Sequence, residues 1–443
     1  MQCVKITGAK KLKVEEMEMP ERSRSDVIIK VNSCGICGSD IHYFVSGEPK
    51  GLVMGHEFAG EVLDPGDRND LKIGQRVTGL PISPCLKCDA CKSGNPQYCR
   101  STWTDALGLS LTRPGAYSEY IKCRGDMVRK IPDSISDDEA AMVEPSAVSL
   151  HAINLADIKV GNSVLIIGGG IIGLMASEFA KLNGASNVAL LETNEKRGKK
   201  SLKFGKVDKF YDAKDPKVIP SLVQKNGGFD VVIECCGSSA AVSEAIMAVK
   251  PGGTIVLVGV SMEPISIPSV MSVMGEVKMQ GAIAYTEKEF DTCIDLISQK
   301  IINVVKYIDD KVPLSEAQHS FERLTSGIDD AIKIILKGLL PLGRNVLFWF
   351  RMASYRKGRF WWFCKLMYKI ASWMSHVEIP PGTKVGYGLY MGHNMCIVIN
   401  EGTIIGNNVN ISQFLNIGTN ENTPAIIGDN VYICLLYTSD AAD

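Results

Sequence analysis

The chain has 443 residues, 45% of them hydrophobic and 22% charged, with 48 Lys and Arg against 49 Asp and Glu. At roughly 150 residues per domain this is material for about three domains, each able to bury a core. A formal charge of −1 supplies no global basic field and argues against nucleic acid as a partner, while 42 Gly and 19 Pro are near average usage and exclude low-complexity disorder.

No apolar run reaches the roughly 18 residues of a membrane span. Met1–Lys13 has lysines but no apolar signal core, so the chain is expected to be cytoplasmic, where disulfides are disfavoured.

In chain order, residues 1–150 predict an antiparallel β domain, with short strands at Asp26–Val31, Glu57–Val62 and Arg76–Thr78 between Gly and Pro turns. Inside it lie Gly35-Ile36-Cys37-Gly38-Ser39-Asp40-Ile41-His42 and Gly55-His56-Glu57. Cys37 and His56 are 19 positions apart and can meet only through the fold. With a carboxylate from Glu144, in Val143-Glu144-Pro145-Ser146, they would leave one tetrahedral position open, as a catalytic zinc requires. Spacing alone leaves a plainer alternative open: Cys37 as a small buried hydrophobe and His56 as a hydrogen-bonded core residue.

Four of the 14 cysteines, Cys85, Cys88, Cys91 and Cys99, form C-x2-C-x2-C-x7-C among turn formers Pro84, Gly94, Asn95 and Pro96. Two-residue gaps let consecutive thiolates converge on one ion, and four sulfurs leave no corner for substrate. This predicts a structural zinc.

From Val164, buried strands alternate with helices, which predicts βαβ units and a parallel sheet over residues 151–285. The expected strands are Val164–Ile167, Val188–Glu192, Asp230–Cys235, Thr254–Val258 and Val277–Gly281. Helices are expected at Gly173–Leu182 and Ser239–Val249, the second ended by Pro251-Gly252-Gly253. Gly168-Gly169-Gly170-Ile171-Ile172-Gly173 follows a strand and opens a helix, the context that gives G-x-G-x-x-G its meaning. Gly168 permits the tight turn, Gly170 the approach of a pyrophosphate, and Gly173 close helix–sheet packing. Glu192, 19 residues after Gly173, would bind ribose hydroxyls and repel a 2′-phosphate, favouring NAD over NADP; Lys196 and Arg197 pull the other way.

Residues 286–338 are mixed and end in an apolar strand at Ala331–Leu336. Residues 339–378 read as a basic aromatic helical linker, since 344–374 hold seven Arg or Lys and no acid, with clusters such as Phe360-Trp361-Trp362-Phe363. Such a helix can lie in a membrane interface; packing as a lid on the following domain is favoured. Over residues 379–433, Ile379, Val385 and Met391, then Ile399, Ile405, Ile411 and Ile417, then Ile427 and Ile433 recur every six residues. One inward aliphatic per six-residue strand predicts a β-helix of about three coils. The polar tail 434–443 has no repeat character.

Together, Gly35–His42, Gly55-His56-Glu57, the four-cysteine lobe, Val143-Glu144-Pro145 and the glycine fingerprint make residues 1–337 resemble the zinc-dependent medium-chain dehydrogenases. Glu144-Pro145, in place of a third cysteine, resembles the polyol branch of sorbitol, galactitol-phosphate and 2,3-butanediol dehydrogenases. The resemblance implies a GroES-like catalytic domain (1–150, rejoined by 286–338), a Rossmann NAD domain (151–285), two zinc ions per chain and a dimer or tetramer. It places Cys37, His56 and Glu144 around the catalytic zinc, with Glu57 a ligand or the partner behind one. Ser39 and His42 would relay the proton, Asp40 would orient a ligand, and Gly168, Gly170, Ile172, Gly173, Glu192 and Arg197 would line the cofactor. The implied reaction is hydride transfer from a secondary alcohol (polyol, sugar alcohol or vicinal diol) to NAD.

Residues 344–433 resemble serine-acetyltransferase-like hexapeptide transferases, which implies a truncated left-handed β-helix. There Met391-Gly392-His393-Asn394 matches the segment of the catalytic histidine, and Glu378 stands where many members have aspartate. The later coils that would hold acetyl-CoA are missing, so His393 is not expected to act. A bifunctional acetyltransferase and a non-catalytic zinc-stabilised oligomer are the rival readings.

Overall fold

The strand Asp26–Gly35 is buried along almost its whole length, as the centre of a sheet must be. In the computed structural model it is the spine of a seven-stranded sheet. The order is Ile308–Pro313, Lys333–Lys337, Asp26–Gly35, Glu57–Asp64, Arg76–Gly79 and Val128–Lys130, with Tyr120–Arg124 also paired to Asp26–Gly35. Residues 308–337 thus return to the sheet that residues 26–130 began. The structure describes the chain apart from residues 22–23, 262, 328, 339–348, 351–352, 355–360, 376, 387–388, 392–396, 401, 408, 412–415, 418, 421–422, 430 and 434–443. It divides into two units, Met1–Gly338 and Leu339–Asp443.

A second sheet of the first unit has six parallel strands in the order Lys209–Asp212, Asn187–Glu192, Ser163–Ile167, Phe229–Glu234, Val249–Leu257 and Lys278–Gly281. That is the doubly wound order 3-2-1-4-5-6. Alternate residues serve two cores. Val164, Ile166, Val188, Leu190, Val231 and Ile233 face one; Leu165, Ile167, Ala189, Leu191 and Val232 face the other. Burial on both faces explains the continuous apolar runs of the parallel strands. The strand Lys209–Asp212 escapes sequence reading, because K-F-Y-D is short and half exposed. Pro251-Gly252-Gly253 does not separate helix from strand: the strand already starts at Val249 and absorbs them as a register shift against Phe229–Val231.

In the second unit, consecutive strands go to three different three-stranded parallel sheets. Val377 pairs with Ile397, Lys384 with Ile404 and Tyr390 with Asn410. The next layer pairs Val398 with Asn416, Ile404 with Ile426 and Asn410 with Tyr432. Three six-residue steps, each carrying a strand of two or three residues, make a layer, and the hairpin Thr419–Asn420/Thr423–Pro424 accounts for the longer steps of the last one. Ile379, Ile399, Ile405, Ile411 and Ile417, all at the six-residue period, are buried. A Cβ on Gly406 would lie 2.7 Å from the Gly428 backbone, so the glycine turns stack too closely for a side chain. The basic aromatic segment is not a free linker: its helix Trp361–Ser375 packs Tyr368 and Ala371 into the core of this unit. His393 and the tail 434–443 lie outside the described residues. Among the described residues, no helix is long and apolar enough to cross a membrane.

Candidate active site and metal centres

The antiparallel register of the two central strands builds the buried site. Gly35 pairs with Glu57, so Cys37, two residues beyond one strand, and His56, one residue before the other, converge at the same sheet end. Cys37 also caps the helix Gly38–Ser46. One ligand atom from each of Cys37, His56 and Glu57 lies within 4.8 Å of the others. They offer a thiolate, an imidazole nitrogen and a carboxylate oxygen, the donor types zinc takes. His56 and Glu57 are buried, and Glu57 Oε1 has no hydrogen-bond partner. A divalent cation would answer that buried oxygen, so the residues present fit the ion.

Asp40, fully buried, holds the site from behind. Its Oδ2 accepts from the Cys37 amide (3.1 Å) and from Tyr117 Oη (2.6 Å), and Oδ1 stands 3.6 Å from His56 Nδ1. At 3.6 Å this is an ion-pair approach and no hydrogen bond: His56 Nδ1 and Asp40 Oδ1 are both buried without a hydrogen-bond partner. Burial disfavours its proton, but the negative groups Asp40, Cys37 and Glu144 outweigh that and raise its pKa well above the usual value. Burial raises the Asp40 pKa. Ser39 Oγ is buried and unpartnered, while His42, a turn further along, is exposed.

Two groups that sequence reasoning missed complete the surroundings. Lys333, 1% exposed, donates to Glu57 Oε2 (2.6 Å) and to the Ile36 carbonyl (2.8 Å). Nothing near Lys333 in sequence marks it, because its strand is added to the sheet 297 positions after Ile36. A Cβ on Gly35 would stand 2.0 Å from Glu57 Oε2 and push that carboxylate off Lys333. The second is Tyr285, whose Oη donates to Glu144 Oε1 at 2.9 Å. Glu144 opens the helix Val143–Ala156; burial, with the nearby Glu57 charge adding to it, pushes its carboxyl up to about 7. Glu144 is outside the 4.8 Å group.

Tyr285 is itself fixed by the helix that carries Glu144. Thr286 caps the helix Glu287–Ser298 with Glu289, and Glu289 accepts from His151 Nδ1 (2.9 Å) and Asn154 Nδ2 (2.7 Å). Burial opposes the Glu289 charge, but His151, the Thr286 amide and Asn154 prevail and hold its carboxyl at about 2.

The four-thiol lobe is built differently. Cys85, Cys88, Cys91 and Cys99 also have sulfurs within 4.8 Å of one another, and Cys88 Sγ lies 3.6 Å from Cys91 Sγ. A tetrahedron with zinc–sulfur bonds of about 2.3 Å has sulfur edges of about 3.8 Å, so the spacing fits zinc. Backbone amides aim at the sulfurs: Lys87 and Cys88 at Cys85 Sγ (3.4 Å each) and Cys85 at Cys99 Sγ (3.3 Å). They lower the Cys85 pKa; the Ser101 hydroxyl together with the Cys85 amide holds Cys99 at about 5. Leu86 adopts φ +58, the strained turn that brings those amides round.

At the fingerprint, the strand Ser163–Ile167 runs into the helix Ile171–Leu182 through Gly168, at φ +102. A Cβ on Gly173 would strike the Gly168 carbonyl at 2.0 Å, whereas one on Gly170 would meet nothing within 4 Å. The first and last fingerprint glycines pack against each other; Gly170 faces open space. Ile172 lies in the first helical turn. Glu192 ends the neighbouring strand, and its carboxylate accepts from the Gly169 amide (2.8 Å) and the Asn194 amide (2.8 Å), with Arg197 3.6 Å away.

A β domain carrying a thiol–imidazole–carboxylate cluster, joined to a doubly wound dinucleotide sheet, defines an alcohol dehydrogenase of the zinc-dependent class. Residues 23–133 match the alcohol dehydrogenase GroES-like domain and residues 172–299 the zinc-binding dehydrogenase family. Sorbitol dehydrogenase of Bombyx mori is 30% identical over 348 residues, 75% of this chain and 97% of that one. The solved structure of 2R,3R-butanediol dehydrogenase from Bacillus subtilis superposes with a TM-score of 0.67 at 27% identity, covering 76% and 99% of the two chains. A zinc-binding dehydrogenase from Sinorhizobium meliloti 1021 bound to NADP gives 0.69 at 29% identity, covering 76% and 98%. The chain belongs to the zinc-dependent medium-chain alcohol dehydrogenases, oxidoreductases of the alcohol and polyol class that work with zinc and a nicotinamide cofactor.

Proposed function

We propose that the chain oxidises a secondary alcohol of a polyol, sugar alcohol or vicinal diol and delivers the hydride to NAD. The observation that carries this reading is the convergence of Cys37, His56 and Glu57 within 4.8 Å, with the buried Glu144 carboxyl feeling the charges of His56 and Glu57. In this reading Cys37, His56 and Glu144 surround the catalytic zinc, with Glu57 a ligand through its unpartnered Oε1 or the partner behind one, its Oε2 being paired to Lys333. Zinc there would draw electron density from the substrate oxygen and favour loss of its proton, while the nicotinamide would take the hydride. Ser39 Oγ receives that proton and His42, exposed on the same helix, passes it to solvent. Asp40 sets a carboxylate 3.6 Å from His56 Nδ1 and so places a negative charge behind the ligand. Gly168, Gly170, Ile172 and Gly173 cradle the pyrophosphate. Glu192 takes the ribose hydroxyls, and Arg197, drawn to Glu192, is neutralised as a 2′-phosphate partner; this supports NAD.

We also propose a homo-oligomer, dimer or tetramer, whose second copy covers the edge strand Lys278–Gly281 and the neighbouring exposed Val270, Val273 and Met274. An uncovered strand edge beside apolar side chains is a liability that pairing with a copy removes. The parallel pairings and buried six-residue period of residues 379–433 support a left-handed β-helix there. For that segment, acetyl-CoA-dependent thiol release is expected to be absent.

The experiment is metal content per purified chain, followed by NAD reduction on a panel of polyols and diols. Two zinc ions and turnover on a diol or sugar alcohol are expected. One zinc with no NADH would overturn the reading in favour of a zinc-stabilised oligomer.

A further inference from the structure

Glu289 makes more hydrogen bonds than a helix cap needs. A capping box asks its third residue for one bond back to the capping amide, and Glu289 Oε2 completes it by accepting from the Thr286 amide at 2.8 Å. The same carboxylate also accepts from the Thr286 hydroxyl (2.9 Å), His151 Nδ1 (2.9 Å) and Asn154 Nδ2 (2.7 Å). The last two come from the helix Val143–Ala156, which carries Glu144 in its first turn. Glu144 and His151 are seven positions apart, about two turns, so both project from one face of that helix. Tyr285 meets Glu144 on that face, and Glu289 meets His151 two turns on. His151 is 4% exposed and its Nε2 is buried without a partner, so its polar contact is the one to Glu289. Ala284, just before Tyr285, adopts φ +49, a turn that an L residue rarely takes and that persists only where the surroundings hold it.

We propose that Glu289 is a positioning residue of the buried metal centre: gripped by His151 and Asn154, it fixes Tyr285, whose hydroxyl sets the Glu144 carboxylate. This rests on the reading of that centre as the catalytic zinc site. A hydrogen bond orients its acceptor only as well as its donor is itself held. Tyr285, fully buried, sits between the left-handed turn at Ala284 and the start of the helix Glu287–Ser298. That start is tied to the helix that bears Glu144, so the tyrosine and the carboxylate share one frame. Phe290 lies against the tyrosine with ring centres 5.6 Å apart. A cap alone would need neither His151 nor Asn154. Loosening the tie lets Tyr285 shift against Glu144, while the four-thiol lobe, made within its own stretch of chain, keeps its geometry.

The test follows zinc release from the full chain to a chelator, with the two ions counted separately. His151→Leu removes the donor and leaves the capping box whole. It should speed release from the buried centre about tenfold, leave the four-thiol ion unchanged, and lower kcat about tenfold. His151→Gln returns an amide donor and should restore most of both. Added to Tyr285→Phe, His151→Leu should change release little further, because the tie acts through the Tyr285 hydroxyl. Asn154→Ala, at an exposed residue, serves where His151→Leu does not fold, and should speed release about threefold. Wild-type release from the folded single variants, or effects that multiply in the double variant, overturn the proposal and leave the tie to helix capping and packing. A wild-type chain with one zinc and no turnover is a different failure, which removes the catalytic-zinc reading and this proposal with it.

Discussion

The two candidate metal sites of the first unit use the same element of chemistry, a thiolate, in opposite ways. The four-thiol lobe is made within 15 residues of chain, exposed at Cys85, and shaped by turns whose amides point at sulfur. Its ligands would fold round an ion with little help from the rest of the protein. The buried site collects Cys37, His56, Glu57 and Glu144 from separate elements. It borrows Lys333 from a strand near the end of the unit and Tyr285 from the segment that follows the last strand of the dinucleotide sheet. A closed local site stabilises; an open, long-range site leaves a coordination corner and spends buried charge to do so. The difference separates which substitutions should unfold the protein and which should only silence it.

The largest contrast should come from His56→Ala. Turnover should fall about a thousandfold or more while one zinc and the fold remain; metal analysis with circular dichroism checks it. Loss of the four-thiol zinc with activity kept would mean the two sites are exchanged. Cys88→Ser should do the reverse, since structural zinc contributes folding free energy directly: a melting temperature about 10 °C lower, with the lobe's ion lost first. An active variant with wild-type melting would contradict the structural assignment.

Tyr285→Phe sharpens the choice of carboxylate. Without its hydroxyl, Glu144 loses the 2.9 Å hydrogen bond. Zinc at the buried site should then exchange to a chelator about 10–100-fold more readily, with the four-thiol zinc unaffected and stability lowered by only about 1 kcal/mol. Unchanged release would assign the ligand to Glu57 instead.

The smallest effect concerns the frame on which the buried site hangs. Burial opposes the Asp138 charge, but Lys311, Lys337 and Ser33 hold its carboxyl at about 2. Lys337 belongs to the same strand as Lys333, so this ion pair anchors the strand that carries the Glu57 partner. A folded value depressed below the unfolded one, near 3.9, adds stability that is complete above about pH 5 and is lost as pH falls towards 2. The wild type should lose about 2 kcal/mol more than Asp138→Asn over that range, read by denaturant midpoints at each pH. Parallel curves would remove Asp138 from the account.

Much of the molecule was legible in the residues themselves. The four-cysteine spacing, the glycine fingerprint after a strand and the six-residue aliphatic period are local patterns, and local patterns survive in sequence because the physics that uses them acts over a few residues. The continuous apolar runs announced a sheet buried on both faces, and Cys37, His56 and Glu144 were recognisable as donor types. Lys333, Tyr285, Tyr117 and the His151–Glu289 tie behind Tyr285 were not. Their partners lie 77 to 276 positions away. No spacing rule reaches that far. Strand register decided that Glu57 meets Cys37, and the return of residues 308–337 decided that Glu57 has a buried cation beside it. The reason is physical: a buried charge is tolerated only where the fold brings its counter-charge, and only tertiary structure states where that is.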